Sequence, residues 1–107
     1  MKDVNIKNLA VLSERRAGLR PANTLFNYYV GKVDALNRAK ISKEKIAKEL
    51  NVSARTVSNW LHVLSAVNVL KYKYSGTMHL NPEIYFEGTK ENFENALETF
   101  KRFKSDI

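Results

Sequence analysis

Residues 41–64, ISKEKIAKELNVSARTVSNWLHVL, have the pattern of two short helices joined by a tight corner. Apolar residues recur at the three- and four-residue spacing of a helix in both halves. They are Ile46, Ala47 and Leu50 in the first half and Val57, Trp60, Leu61 and Leu64 in the second. Ser42 and Ser53 stand where N-caps belong, and Asn51 tolerates the left-handed conformation that such a corner requires. This pattern predicts a helix-turn-helix.

The second of these helices carries a polar face without acidic residues. Its candidate DNA-binding residues are Ser53, Arg55, Thr56, Ser58, Asn59 and His62. Hydroxyl groups suit phosphates, whereas Asn pairs with adenine and Arg with guanine. We therefore expect the helix to bind double-stranded DNA. The alternative is an αα-hairpin whose polar face is only solvated.

The charge distribution is consistent with a nucleic-acid partner. The 107-residue chain has a net charge of +7. Residues 1–80 contain 14 Lys and Arg against 5 Asp and Glu, whereas residues 81–107 contain 4 against 6. A basic body of this kind displaces counterions from phosphates, although RNA binding would fit the same charge.

Several classes of protein are disfavoured by composition. The chain has no cysteine, so disulfides and thiolate metal sites are excluded. Its apolar runs are far shorter than the roughly 20 residues of a membrane-spanning helix, and no secretory signal is recognisable. We expect a cytoplasmic protein that does not enter a membrane.

The segment before the helix-turn-helix contains one long helical pattern. Residues 1–20 fit neither period cleanly, and we expect a short element or an arm there. The candidate arm contacts are Arg15, Arg16 and Arg20. From Pro21, apolar residues follow helical spacing through Arg38, with Gly31 inside the run. This helix would complete a three-helix core.

A hairpin pattern follows the helix-turn-helix. Residues 69–74 alternate with period two, Ser75-Gly76 is typical of a turn, and residues 78–80 return. A two-residue loop would mix charged and apolar side chains on one face. A three-residue loop, Ser75-Gly76-Thr77, pairs Tyr74 with Met78 and separates the two kinds.

This second register predicts a basic outer face on the hairpin, formed by Lys71, Lys73 and His79. Three helices followed by a basic hairpin indicate a winged helix, a mainly α fold with a small β-hairpin (α+β). The residues of this face, together with Lys43, are the candidate contacts with the DNA backbone. The alternative is a structural edge whose lysines serve solubility.

The tail is predicted to end in an amphipathic helix that begins after Thr89. Its apolar stripe includes Phe93, Leu97, Phe100 and Phe103. These residues pack within the chain or form the interface of a homodimer, since helix-turn-helix proteins commonly pair across two half-sites. The chain thus divides into an N-terminal arm or short element (1–20), a winged helix-turn-helix domain (21–88) and a C-terminal helix (89–107).

Residues 41–103 resemble the RepL-type replication proteins of small plasmids from Gram-positive bacteria. The likeness lies in the order of three segments: IAKELNVSARTVSNWLHVL, a hairpin rich in Lys and Tyr, and HLNPEIYFEGTKENFENALETF. The run from Leu80 to Gly88, followed by a helix rich in Leu and Phe, is the more distinctive part. The resemblance implies plasmid or phage replication or maintenance through binding of origin-like DNA.

Enzyme, metal and cofactor motifs are missing from the sequence. His62 and His79 lie on different predicted elements without a carboxylate at ligand spacing, and no phosphate-binding Gly-Lys-Ser/Thr loop occurs. We expect a DNA-binding protein without a cofactor, whose further partner is a replication or partition protein. A transcriptional repressor, a centromere-binding partition adaptor and a protein-interaction winged helix are the alternatives.

Overall fold

The computed structural model of the protein describes residues 3–13 and 18–107. Within them the chain forms four α-helices, two small antiparallel sheets and a 3-10 helix at Leu9–Ser13. The elements in chain order are β1 (Asp3–Lys7), α1 (Leu19–Val30), β2 (Arg38–Lys40), α2 (Lys43–Leu50), α3 (Ala54–Ala66), β3 (Leu70–Tyr72), β4 (Thr77–Leu80), β5 (Tyr85–Thr89) and α4 (Lys90–Arg102). This is the predicted α+β class, and the order of elements is consistent with a winged helix.

The helix-turn-helix is formed by α2 and α3, and its predicted local features are confirmed. Ser42 accepts a hydrogen bond from the amide of Lys45, and Ser53 accepts one from the amide of Thr56. Each cap contributes about 1 kcal/mol by pairing an amide of the first turn. Asn51 ends α2 in the left-handed conformation, with φ of 56°.

Helix α1 packs across α3 and completes the three-helix core. Leu19, Leu25 and Tyr29 on α1 are fully buried. The prediction that this helix continues through Arg38 is wrong, because it ends at Val30 with Gly31 as its C-cap. The residues beyond the turn form strand β2 instead.

The three-stranded sheet has the order β2-β4-β3. The opposed pairs of β3 and β4 are Leu70 and Leu80, Lys71 and His79, and Tyr72 and Met78. The predicted pairing of Tyr74 with Met78 is therefore wrong by two residues, which leaves the division into two faces unchanged. The loop is Tyr74-Ser75-Gly76, and Gly76 has the positive φ, 96°, that the third position of such a loop requires.

Gly76 also lies against the segment that precedes α2, so we expect Gly76→Ala to destabilise the fold by about 1–3 kcal/mol. A Cβ there would lie 3.1 Å from the backbone oxygen of Ile41 and would require a positive φ of alanine. Gly31→Ala is the control, because that position has φ of −83° and its nearest atom would be 3.8 Å away. Urea denaturation of both variants measures the difference, and equal free energies of unfolding would contradict the expectation.

The second sheet joins two strands that are far apart in the sequence. Strand β1 pairs antiparallel with β5, so that Ile6 lies opposite Phe86. Residues 3–7 thus form a strand within the fold. For that part of residues 1–20, the short element is observed and not the free arm. Residues 14–17, which include Arg15 and Arg16, lie outside the described residues.

Helix α4 closes the fold over both sheets. Thr89 is its N-cap, as predicted, and accepts a hydrogen bond from the amide of Asn92. The ring of Phe93 lies edge-on to Phe86 of β5, with centroids 5.3 Å apart. Among the described residues, no helix is long and apolar enough to cross a membrane.

Candidate nucleic-acid interface

The outward side of α3 carries a stripe of three polar side chains. Arg55, Asn59 and His62 are spaced four and three residues apart, which aligns them on one side of a helix. All three are exposed. The opposite side of α3 belongs to the core and contains Val57, Leu61 and Leu64. Within residues 3–13 and 18–107, the three polar side chains of the stripe form no hydrogen bond or salt bridge, so their donors and acceptors are free for a ligand.

The hydroxyl groups near the start of α3 are engaged in local hydrogen bonds. The Ser53 hydroxyl caps the helix and lies 2.9 Å from the Thr56 hydroxyl. Ser58 accepts a hydrogen bond from Lys43. These three predicted site residues therefore stabilise the start of α3 and its contact with α2. The groups best placed to reach base edges are those of the exposed stripe.

Lys43 connects this stripe with the hairpin loop. Its Nζ lies 3.2 Å from the Ser58 hydroxyl oxygen and 5.9 Å from the centre of the Tyr74 ring. The start of α2, the outer side of α3 and the hairpin loop thus form one continuous surface. Lys43 provides a positive charge at its centre, which suits a phosphate of bound DNA.

The hairpin face formed by Lys71, Lys73 and His79 does not point outward, contrary to the prediction. Helix α4 covers it. The Lys71 ammonium donates a hydrogen bond of 2.7 Å to the carbonyl of Phe100 and lies over that ring. Lys73 lies over the ring of Phe103 at 5.0 Å. The charge of Lys71 thus stabilises the C-terminal end of α4, where carbonyls lack partners within the helix.

His79 is fully buried in this cluster and is not available to DNA. Its ring lies edge-on to Phe100 and Phe103, with centroid distances of 5.4 and 6.1 Å. The Nδ1 atom donates to the carbonyl of Leu80 at 3.0 Å, while Nε2 is buried without a partner among the described residues. This arrangement suits a neutral imidazole.

We expect the burial of His79 to make the fold less stable in acid. Desolvation lowers the pKa of His79 below its usual value of 6.5. Below pH 6.5 the unfolded chain takes up a proton that the folded chain does not, so the free energy of unfolding falls as the pH decreases from 6.5 towards the lowered pKa. Above pH 6.5 this residue contributes no pH dependence. Denaturation between about pH 5 and about pH 8 measures the effect.

Two substitutions separate this effect from general acid denaturation. His79→Leu should lose this part of the pH dependence, whereas His62→Leu, at an exposed position, should retain it. The same acid sensitivity in wild type and His79→Leu would contradict the assignment.

A model of the family described as Firmicute plasmid replication protein (RepL) matches residues 20–107 of the chain. The chain belongs to the RepL family. No curated protein and no solved structure matches the sequence. The family connects the protein with plasmid replication.

The RepL match begins at Arg20, the second residue of α1, and includes the whole surface from α2 to the hairpin loop. Arg20 is exposed. Of the three predicted arm residues it alone lies within the match, since Arg15 and Arg16 precede it. A contact of these arginines with DNA stays a prediction.

In this RepL chain the Phe stripe of α4 is occupied by intrachain packing. Phe100 is 5% exposed and lies on His79, while Phe93 lies on Phe86. Leu97 and Phe103 are half-buried. The stripe is therefore part of the fold, and the predicted homodimer stays a prediction.

Two residues of the surface were missed by the sequence interpretation. The alternating pattern predicts Tyr74 in a strand, yet it lies in the hairpin loop and is 68% exposed. The Asp106 carboxylate accepts a hydrogen bond of 2.9 Å from the Tyr74 amide. The position of Tyr74 was predictable, because a three-residue loop needs a left-handed glycine as its last residue and Gly76 then makes Tyr74 the first. No local pattern predicts the contact with Asp106.

Proposed function

We propose that the protein binds a specific double-stranded DNA sequence at a plasmid origin and thereby acts in replication. The observation that carries this proposal is the exposed stripe of Arg55, Asn59 and His62 on a helix that is anchored at its other side. Membership of the RepL family supports a role in plasmid replication, and the geometry of α3 supports DNA as the ligand.

The chemistry of the stripe suits the major groove. An Arg guanidinium pairs with O6 and N7 of guanine, and an Asn amide pairs with N6 and N7 of adenine. Arg55 and Asn59 lie one helical turn apart, so they can reach neighbouring base pairs. Because both side chains lack competing partners among the described residues, binding would not first have to break a protein hydrogen bond.

The charges around the stripe suit the DNA backbone. Lys43 lies beside the stripe, and the amides at the start of α3 carry the positive end of the helix dipole. Residues 1–80 have an excess of nine positive charges. These charges would provide salt-dependent affinity, while the stripe provides sequence preference.

We infer that this role is binding and not catalysis. Of the two histidines, His79 is enclosed by phenylalanine rings and His62 belongs to the stripe. Incubation of the purified protein with supercoiled origin DNA and Mg²⁺ should leave the DNA uncut. Nicked product that is lost in a His62→Ala variant would overturn this inference.

Selection of bound fragments from the host plasmid tests the proposed function. Fragments that contain the replication origin should be enriched over the remainder of the plasmid, and footprinting should define the protected sequence. Two protected half-sites about 10 base pairs apart would indicate the predicted dimer. Enrichment without any preference for the origin would contradict the proposal.

A further inference from the structure

The hairpin loop displays an aromatic ring to solvent. Among the described residues, Tyr74 and Leu9 are the large hydrophobic side chains that are exposed, at 68% and 41%. An exposed aromatic ring in a loop contributes nothing to the hydrophobic core of the protein. The ring therefore serves either the binding of a ligand or the solubility of the loop, and the groups around it favour a ligand.

Three backbone hydrogen bonds fix the loop that carries Tyr74. The Gly76 amide donates to the carbonyl of Lys73, and the Lys73 amide donates to the carbonyl of Thr77, both at 2.8 Å. The Ile41 amide donates to the carbonyl of Gly76 at 3.2 Å, which fixes the loop to the start of α2. Little backbone freedom remains to be lost when the ring meets a ligand.

The ring belongs to the same surface as the α3 stripe. Lys43 lies between them, near both the Ser58 hydroxyl and the Tyr74 ring. A nucleotide against the ring would therefore also be close to the Lys43 ammonium. It would belong to the duplex that α3 contacts, at a position beside the base pairs that α3 reads.

We propose that Tyr74 and Lys43 form a second contact with this duplex, on the backbone that flanks the sequence read by α3. The Tyr74 ring packs on a deoxyribose, and the Lys43 ammonium binds the adjacent phosphate. Tyr and Lys together match the alternating apolar and anionic groups of the DNA backbone. This inference rests on the proposed function, since it names a further part of the same site.

Asp106 acts as a positioning residue for this contact. Its carboxylate accepts the hydrogen bond of the Tyr74 amide and so fixes the start of the loop. The preceding residue supports it, because the Tyr72 amide donates to the Ser105 hydroxyl at 3.0 Å. A carboxylate beside DNA is unfavourable by charge alone, so its benefit lies in the position of the loop.

Fluorescence anisotropy with two duplexes tests the contact. One duplex carries the base pairs that α3 reads with a flank of several base pairs on both sides, and the other lacks the flanks. Tyr74→Ala should weaken binding to the long duplex about 3- to 10-fold, the usual effect of one aromatic contact, and should leave the short duplex within about 2-fold. Tyr74→Phe should bind like wild type, and Leu9→Ala is the matched control for loss of an exposed apolar side chain.

Variants of Asp106 test its positioning role. Asp106→Asn keeps an acceptor oxygen and should bind the long duplex at least as tightly as wild type. Asp106→Ala should lose affinity for the long duplex only, although it also removes a negative charge. Affinity gained equally on both duplexes by Asp106→Ala would show that only its charge matters and would overturn the positioning role.

The outcomes separate this inference from the proposed function. Failure of wild type to prefer its footprinted sequence would remove the proposed function itself. Sequence preference that depends on Arg55 and Asn59, together with equal binding of wild type and Tyr74→Ala to the long duplex, would overturn only the second contact. Tighter binding through Tyr74 to a single-stranded flank than to a double-stranded one would overturn the assignment to duplex backbone.

Discussion

The double substitution Arg55→Ala and Asn59→Ala is expected to reduce affinity for the cognate duplex by about 2–6 kcal/mol, because each bidentate contact with a base contributes about 1–3 kcal/mol. Both side chains are exposed on α3. The fold should therefore be unaffected, and loss of affinity would reflect lost contacts. Binding to unrelated DNA should weaken only by the effect of one positive charge.

A matched control for this variant is available on α4. Lys101→Ala and Asn95→Ala together also remove one cation and one exposed amide. Titration of both double variants against cognate and scrambled duplexes at the same salt concentration gives the comparison. Equal losses on the two duplexes would contradict base reading by α3.

Substitution of Phe100 by Ala is expected to destabilise the fold by about 3 kcal/mol, because it leaves a cavity over the three-stranded sheet. Phe100 is 5% exposed and packs on His79 and under the Lys71 ammonium. Water entering the cavity would also hydrate the His79 imidazole. The acid sensitivity due to His79 should therefore decrease in the same variant.

Lys101→Ala on the same helix is the control, since that side chain is exposed and its loss should change stability by less than about 0.5 kcal/mol. Thermal and urea denaturation measure both variants. A Phe100→Ala protein as stable as wild type would contradict the packing of α4 as a cover of the hairpin.

Much of the fold is predictable from local chemistry. Ser42, Ser53 and Thr89 each have a hydroxyl that pairs with an amide of the first helical turn, and this signal needs no tertiary information. Asn51 marks the corner for the same reason, since few residues adopt a positive φ readily. The apolar spacing of α2 and α3 then specifies which sides face each other.

The features that the sequence leaves open or predicts wrongly depend on contacts between distant residues. Strand β1 pairs with β5, which lies about 80 residues further along the chain, and no local pattern indicates such a partner. The alternating pattern correctly predicts that Lys71 and His79 share a face, but only the packing of α4 determines that this face is covered. The register of the hairpin, in contrast, was predictable from local chemistry. A glycine is preferred at the left-handed third position of a three-residue loop, and Gly76 at that position places the loop at residues 74–76.

The correction of the hairpin changes which residues are expected to contact DNA. Lys71 and Lys73 contact the C-terminal end of α4. Lys43 and Tyr74 lie on the surface that α3 shares with the hairpin loop. The exposed stripe on α3 is unaffected by this correction. The RepL family indicates plasmid replication, and the geometry restricts the candidate DNA contacts to a few side chains.

The most direct test of sequence-specific binding is a titration of wild-type protein against its footprinted duplex and a scrambled duplex of equal length and composition, at several salt concentrations. We expect the cognate duplex to bind at least about 10³-fold more tightly than the scrambled one, and the logarithm of each affinity to fall linearly with the logarithm of the salt concentration. Equal affinity for both duplexes at every salt concentration would contradict this expectation.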